Sequence, residues 1–405
     1  MAKKKIGLKR ELGIFQVTLA GVGIIVGAGI YTLIGVASSS SGNATWLAFL
    51  ISALIALFTG LSYAELSSMF RTDAGEYDYV KTAINKKLAF FVGMSIITAG
   101  FISAAAVSLG FAGYFTQLVP IPLLVAAIGL IGLMTLINFI GIKETSWFNT
   151  ISTLIEIGGV LLIIFLGIKH IGSVNYLEMP KGLNGVFSSA ALVFFAYMGF
   201  ESIVKLKEET KNPDKVIPKA LMYAVIITTV FYVLVALAAV SIIGWEELST
   251  SKAPLATVAA ASLGGYAFLL LGIIALFSTS NTVLITLVTT SRLVYGMAEE
   301  KGLPKVLSLV HKRTRTPWVA ILVIALLTTI FSFIGDIEIV ANLTNLFLFI
   351  TFASVNLSLL ILRYKIKTKN KNFICPGNIG KFSVTALLGF LTSLGMIVFV
   401  LLNLF

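Results

Sequence analysis

Three carboxylates stand inside long apolar runs of this sequence: Glu65, Glu156 and Glu201. An ionisable group at membrane depth is costly and by default marks a substrate path, an ion path or a proton relay. Glu65 lies close to the end of its run, where a solvated or salt-bridged helix end is the simpler role. Glu156 sits deep in Asn149 to Glu156; there it can carry a proton and release it when its surroundings open. Ionised, it could instead ligate sodium with Ser280 or another neighbouring oxygen, or pair with a buried donor for structure alone. Two further stretches bear on binding. Gly21, Gly23, Gly27 and Gly29 strip the backbone of side-chain shielding over two turns, so that an unwound segment here would offer N–H groups to a carboxylate at the start of a helix. Close helix packing, with Gly23 and Gly27 at small-xxx-small spacing, is the competing reading. Phe194 to Glu201 combines aromatics, Gly199 and an acid, and a break there would turn the carbonyls of Phe195, Ala196 and Met198 towards an ammonium group. Opposed N–H and C=O clusters suit a zwitterion; an aromatic packing stripe is the alternative. Asn281 and Thr282 add polar groups that serve a pocket, an ion or their own backbone. Arg292, Lys205 and Lys207, near the inner ends of runs, are expected to snorkel to the interface.

The elements that must position these residues are membrane helices. Of 405 residues, 58% are hydrophobic and 12% charged, and the mean hydropathy is +0.99. A soluble domain carries about twice that share of charge, which rules out a soluble enzyme. Apolar runs occur at about 13–40, 46–70, 88–118, 121–142, 147–168, 185–204, 217–244, 256–297, 318–334, 339–362 and 382–405, and they read as eleven transmembrane helices. The first is too long for a signal peptide and lacks a small-residue cleavage site. A net charge of +12 would suggest nucleic acid in a soluble protein. Here it sorts by side: with residue 1 cytoplasmic, 27 of the 30 Lys and Arg fall inside and only Lys169, Lys181 and Lys252 outside, so a multi-pass protein of the cell membrane with a cytoplasmic N-terminus is expected. One cysteine, Cys375, and two histidines leave no disulfide and no His/Cys metal cluster to build, and no cofactor is implied. No nucleophile with its base stands at a recognisable spacing, and the sparse polar side chains do not line a channel in register. No composition shift marks a second domain, so residues 1–405 read as one transmembrane unit. The glycine-interrupted first and sixth spans are five apart, and two consecutive five-span units cross the membrane in opposite senses. This is the pattern of an inverted repeat with broken helices at matching positions, about 10–170 and 180–365, with 382–405 as an extra span.

Several stretches together resemble the amino acid-polyamine-organocation family of permeases. They are the glycine string ending at Tyr31, then Tyr63-Ala64-Glu65-Leu66 with Gly75 and Tyr77, and Phe194 to Glu201 leading into Glu208 to Pro213 and Ile217-Pro218. Ser291-Arg292, Tyr295, Met297-Ala298, Gly302 to Pro304 and Arg313 to Pro317 complete the match over roughly 10–365. The resemblance implies the leucine-transporter-like five-plus-five fold and an amino acid or related amine as substrate. It places the carboxylate on backbone around Gly27, Ala28 and Gly29, the ammonium near the carbonyls of Ile25, Phe195, Ala196 and Met198, and an aromatic lid at Phe195. At Glu201, related exchangers place an acid that responds to pH. At Glu156, many proton-coupled relatives carry a lysine, so this sequence departs in charge sign while keeping an ionisable group, and proton coupling is favoured over sodium. Arg71 and Ala74 replace the family's usual Pro and Gly, and a common twelfth span has no counterpart. The expected activity is secondary amino acid transport by alternating access, as symport or exchange; a transport-dead sensor on the same fold is the rival.

Overall fold

A computed structural model describes residues 12–70, 75–366 and 373–404, with the side chains of 142–147, 205, 208, 209, 403 and 404 left aside. Arg71, Ala74, residue 1 and the Lys205 side chain therefore lie outside the described residues. The chain is all-α apart from a two-residue hairpin pairing Asn378–Ile379 with Phe382–Ser383. Fourteen α-helices follow in order: α1 (Ile14–Ile25), α2 (Ala28–Ser41), α3 (Thr45–Met69), α4 (Glu76–Ala83), α5 (Lys86–Phe115), α6 (Leu123–Ile140) and α7 (Ile142–Gly167). After them come α8 (Gly182–Val193), α9 (Pro213–Thr250), α10 (Pro254–Leu263), α11 (Gly265–Glu299), α12 (Trp318–Ser332), α13 (Ile337–Lys365) and α14 (Val384–Leu404). Among the described residues, nine helical segments are long and apolar enough to cross a membrane.

The helices are layered by how apolar their surroundings are. Segments containing α2–α3, α5, α8 and α13 are about two-thirds buried inside the protein, whereas α6, α7 and α14 are about one-third buried. The outward stripes of the peripheral helices are bare aliphatic side chains, such as Leu133 and Leu136 on α6, Leu322 and Leu326 on α12, and Leu391 and Val398 on α14. Such continuous apolar surface belongs in lipid. Inside, α5 packs against α11 and α13, while α9 packs against α1, α2 and α3.

Two helices are interrupted at the centre. Between α1 and α2 the backbone is extended at Val26 (φ −69°, ψ 101°) and Gly27 (φ −145°, ψ −153°). Beyond α8 the chain tightens to a 3₁₀ turn at Phe194–Tyr197, turns left-handed at Gly199 (φ 112°) and resumes as 3₁₀ helix over Phe200–Glu209. Only glycine takes that φ without strain. Residues 26–27 and 198–199 thus leave main-chain groups outside any regular ladder at membrane depth, a situation tolerated only in contact with protein or a cavity.

Candidate transport site

The two interruptions touch. A Cβ added to Gly29 would stand 2.5 Å from Ala196 Cα, and one added to Gly199 would stand 3.0 Å from the Ile24 carbonyl oxygen. Gly23 meets Thr153 on α7 and Gly27 meets Thr282 on α11, so the glycines also serve close packing, each towards a different neighbour rather than as one small-residue face. The backbone groups freed by the breaks are held by side chains from two other helices. Thr282 Oγ1 accepts the N–H of Ala28 at 3.1 Å. The Tyr232 hydroxyl on α9 lies 2.9 Å from the Ile25 carbonyl oxygen and 2.8 Å from that of Ala196, bridging the two interruptions. Tyr232 was not singled out by sequence reasoning; it is one of two tyrosines in the apolar run of α9, with Tyr223, and a phenol there carries no signal beyond its one polar tip.

The structure brings Ile25, Gly27, Ala28, Gly29 and Ala196 to this junction, with Thr282 as a tie on its backbone. Phe195 is buried beside it, and Phe194 packs on Phe349 and Phe352. Asn281 is buried one residue from Thr282, with its Oδ1 unpartnered. Met198 and Glu201 face a cavity of about 870 Å³ that begins at Ile24, Met198 and Gly199. It runs between α5 and α11, lined by Ile96, Gly100, Thr286 and Arg292, and reaches the charged side chains Glu76, Asp78, Lys86 and Glu300, which are taken as its mouth. Glu201 Oε2 accepts the N–H of Gly199 at 2.9 Å, so part of this carboxylate is spent on fixing the left-handed turn.

The amino acid permease family model matches residues 12–404. The chain belongs to that family. A branched-chain amino acid permease of Bacillus subtilis is 30% identical over 91% of this permease and 84% of its own length. A methylthioribose transporter of the same organism is 29% identical, over 92% and 85%, and cationic amino acid transporter 1 of Arabidopsis thaliana is 27% identical, over 90% and 65%. This permease is accordingly a multi-pass membrane protein of a transporter family, not of an enzyme family.

Apart from the junction, the permease carries two buried carboxylates with opposite circumstances. Glu156 on α7 is fully buried, and the hydroxyls of Ser278 and Thr153 are the hydrogen-bonding groups within reach of its carboxyl, neither of them in good hydrogen-bond geometry. Ser152, also buried, has an unpartnered hydroxyl. The Tyr31 hydroxyl donates to the Glu156 main-chain carbonyl at 2.6 Å and ties this turn of α7 to α2. Glu65, by contrast, is fully paired: Arg363 on α13 forks onto both its oxygens, and the Cys375 N–H donates to Oε2 at 2.8 Å. Arg363 also donates to Asn378, so Glu65 anchors the segment before α14 to α3 and α13. Lys207 corrects the snorkelling expectation. It is buried, donating to the carbonyls of Ser67 (2.5 Å) and Phe70 (2.6 Å) at the end of α3 and pairing with Asp214 at 3.1 Å, because orphan carbonyls at a helix end attract a cation. Arg292 lines the cavity.

Proposed function

We propose that this permease is a secondary active transporter of amino acids across the cell membrane, working by alternating access around the junction of the two interrupted helices. The observation that carries the reading is that junction. Backbone donors at the start of α2 and the carbonyls of Ile25 and Ala196 meet at this buried junction, and the adjoining Ile24, Met198 and Gly199 line the cavity. The first turn of α2 leaves N–H groups without intrahelical partners, and Thr282 takes only that of Ala28, so donors remain for a carboxylate. Each bridged carbonyl keeps a second lone pair, and Tyr232 has a single proton to share between them, so acceptors remain for an ammonium group. The branched-chain and cationic amino acid names of two relatives agree with recognition of an amino acid backbone, while the methylthioribose transporter is named for a ligand without one.

The chain is read as eleven passages, in a five-plus-five inverted repeat of about 10–170 and 180–365 followed by 382–405. The 42-residue run Ala28–Met69 contains the turn at Gly42 to Ala44 and provides the ends of two passages, while the 15-residue α12 provides a short one. Charge sidedness puts the end of the cavity lined by Glu76, Asp78, Lys86 and Glu300 in the cytoplasm, so the geometry described is inward-open. Glu156 is assigned to coupling and Glu201 to supporting the break beside the pathway. A buried carboxyl with only the Ser278 and Thr153 hydroxyls in reach, and no cationic side chain paired with it among the described residues, is accommodated as the neutral acid or with a bound cation, and the proton is the simpler occupant.

Counterflow of labelled amino acids in proteoliposomes tests the function; absence of any saturable exchange, with the protein folded, refutes it. Uptake driven by an imposed pH or sodium gradient, in wild type and Glu156→Gln, tests coupling. Proton-driven accumulation lost in the variant while counterflow persists is the expected result. Accumulation unchanged by Gln removes Glu156 from coupling, and sodium-driven uptake lost in the variant replaces the proton with a cation held by the carboxylate and eighth-span oxygens.

A further inference from the structure

The end of the molecule opposite the cavity mouth is closed by the loop between α7 and α8. Helix α3 separates the two ends: its 25 residues span about 37 Å, with Phe70 beside Lys207 at one end and Asn43 just before the other. At that second end, Glu178 accepts from two elements at once. Asn43 Nδ2, in the turn joining α2 to α3, donates to Oε2 at 2.8 Å, and Trp245 Nε1, just past the break in α9 at Gly244 (φ 72°), donates to Oε1 at 3.1 Å. On either side of Glu178 the same loop is fastened again. Trp46 Nε1 donates to the Tyr176 carbonyl at 3.1 Å, and Lys181 Nζ donates to Ser40 Oγ at 3.0 Å. Gly42, left-handed at φ +62°, lets the chain pass beneath, since a Cβ there would stand 2.3 Å from Pro180 Cδ and 2.7 Å from the Glu178 carbonyl oxygen. Residues 176–181 are thus a strap laid across the outer ends of α2, α3 and α9, and α2 is the helix that begins at the junction.

We propose that Glu178 is the outer gate residue of the transport cycle. Its carboxylate clamps the strap to the α2–α3 turn and to α9 while the inner cavity is open, and it releases Asn43 and Trp245 when the outer path opens. This rests on the alternating-access reading above. Asn43 is buried and its Oδ1 is already unpartnered, so losing Glu178 leaves the whole amide unsatisfied unless water enters. Release and hydration of the outer path are therefore one event. Because Glu178 itself is solvent-exposed, each bond is worth the modest net amount of a surface hydrogen bond, which suits a gate that must open on every cycle.

Ser38 supplies the reporter, being fully buried beneath the Trp245 main chain, with its hydroxyl 3.5 Å from the Trp245 carbonyl oxygen. The experiment labels Ser38→Cys from the strap side, and Thr289→Cys in the cavity from the opposite side, in proteoliposomes with an impermeant thiol reagent, both in a Cys375→Ser background. Glu178→Gln opposes an amide NH2 to one of the two donors. It is expected to speed Ser38→Cys labelling about three- to tenfold, the worth of one lost bond, and to slow Thr289→Cys labelling by a comparable factor. Trp245→Phe, which deletes a donor and leaves the carboxylate, should move both reporters the same way. Unchanged labelling at position 38 in both variants, with melting temperatures equal to the parent, overturns the gate. Faster labelling at both positions marks Glu178 as a structural tie only, and faster outer labelling with the cavity reporter unmoved removes it from an alternating cycle. Absence of counterflow in the unmodified permease would sink transport itself, and that result is read without either reporter.

Discussion

Gly29→Ala is the smallest change that separates the two interrupted helices. The added Cβ would lie 2.5 Å from Ala196 Cα, 2.7 Å from its Cβ and 3.1 Å from its N. Carbon atoms in contact normally stand about 3.5–4.0 Å apart, so the two segments must part by about 1 Å or more. The obstructing atoms are main chain, which has no rotamer to turn away. Overpacking of this kind costs about 1–3 kcal/mol, or about five- to 150-fold in an equilibrium constant. Part of that cost falls on the geometry of the proposed carboxylate and ammonium anchors, because α2 and residues 195–198 would no longer face one another at the same separation. Amino acid affinity, measured by calorimetry or by protection against thermal unfolding in detergent, is expected to fall at least about fivefold. Ala196→Gly removes only the 2.7 Å conflict, so the double variant should recover part of the loss and give a non-zero coupling energy in a double-mutant cycle. Wild-type affinity in a folded Gly29→Ala protein, with no coupling to position 196, would refute both the close junction and its role in binding.

Tyr232→Phe withdraws the one hydroxyl shared by the Ile25 and Ala196 carbonyls and strands a buried acceptor, so the melting temperature should drop by the equivalent of about 1–3 kcal/mol; an unshifted melt would mean the bridge is not formed. Glu65→Gln leaves the Arg363 guanidinium buried without its counter-charge, a loss of about 3–5 kcal/mol seen as poor yield or early unfolding, and Glu65→Gln with Arg363→Gln should recover part of it. Asp78, in the short helix α4 at the cavity mouth, has its carboxyl held above the ordinary 3.8 by burial first and by the nearby Glu300 second, against the pull of Lys81 and the Gly75 backbone. A raised acid favours the folded state when protonated and penalises it when ionised. Asp78→Asn should therefore raise the melting temperature at neutral pH and lose that advantage as the pH falls through the raised value, with none left by about pH 4; a benefit independent of pH would refute the assignment.

What the sequence discloses here is what depends on neighbours along the chain. Four glycines within nine residues announce the first break, and Gly199 among aromatics announces the second, because what each glycine supplies is a property of its own position: a left-handed turn at 199, room for the Thr282 hydroxyl at 27 and room for a backbone at 29. The partners are not local. Arg363 is 298 positions from Glu65, and Tyr232 lies 207 positions from Ile25, so neither pairing leaves a trace at the spacing of a helix turn. Lys207 was placed by its nearness to a run end, whereas the carbonyls that hold it belong to α3, whose end only the fold brings near. The count of passages meets the same limit. Among the described residues one of the nine long apolar segments runs through the turn at Gly42, and the 15-residue α12 is shorter than the rest, so the eleven proposed passages count that turn as a boundary and α12 as a span. The glycine string also shows why a packing reading and a binding reading were hard to separate. The missing side chain at Gly29 lets two backbones touch, and touching backbones are what place the amide groups of one broken helix opposite the carbonyls of the other. Packing at that position is the means by which the proposed polar site would be assembled inside an apolar bundle.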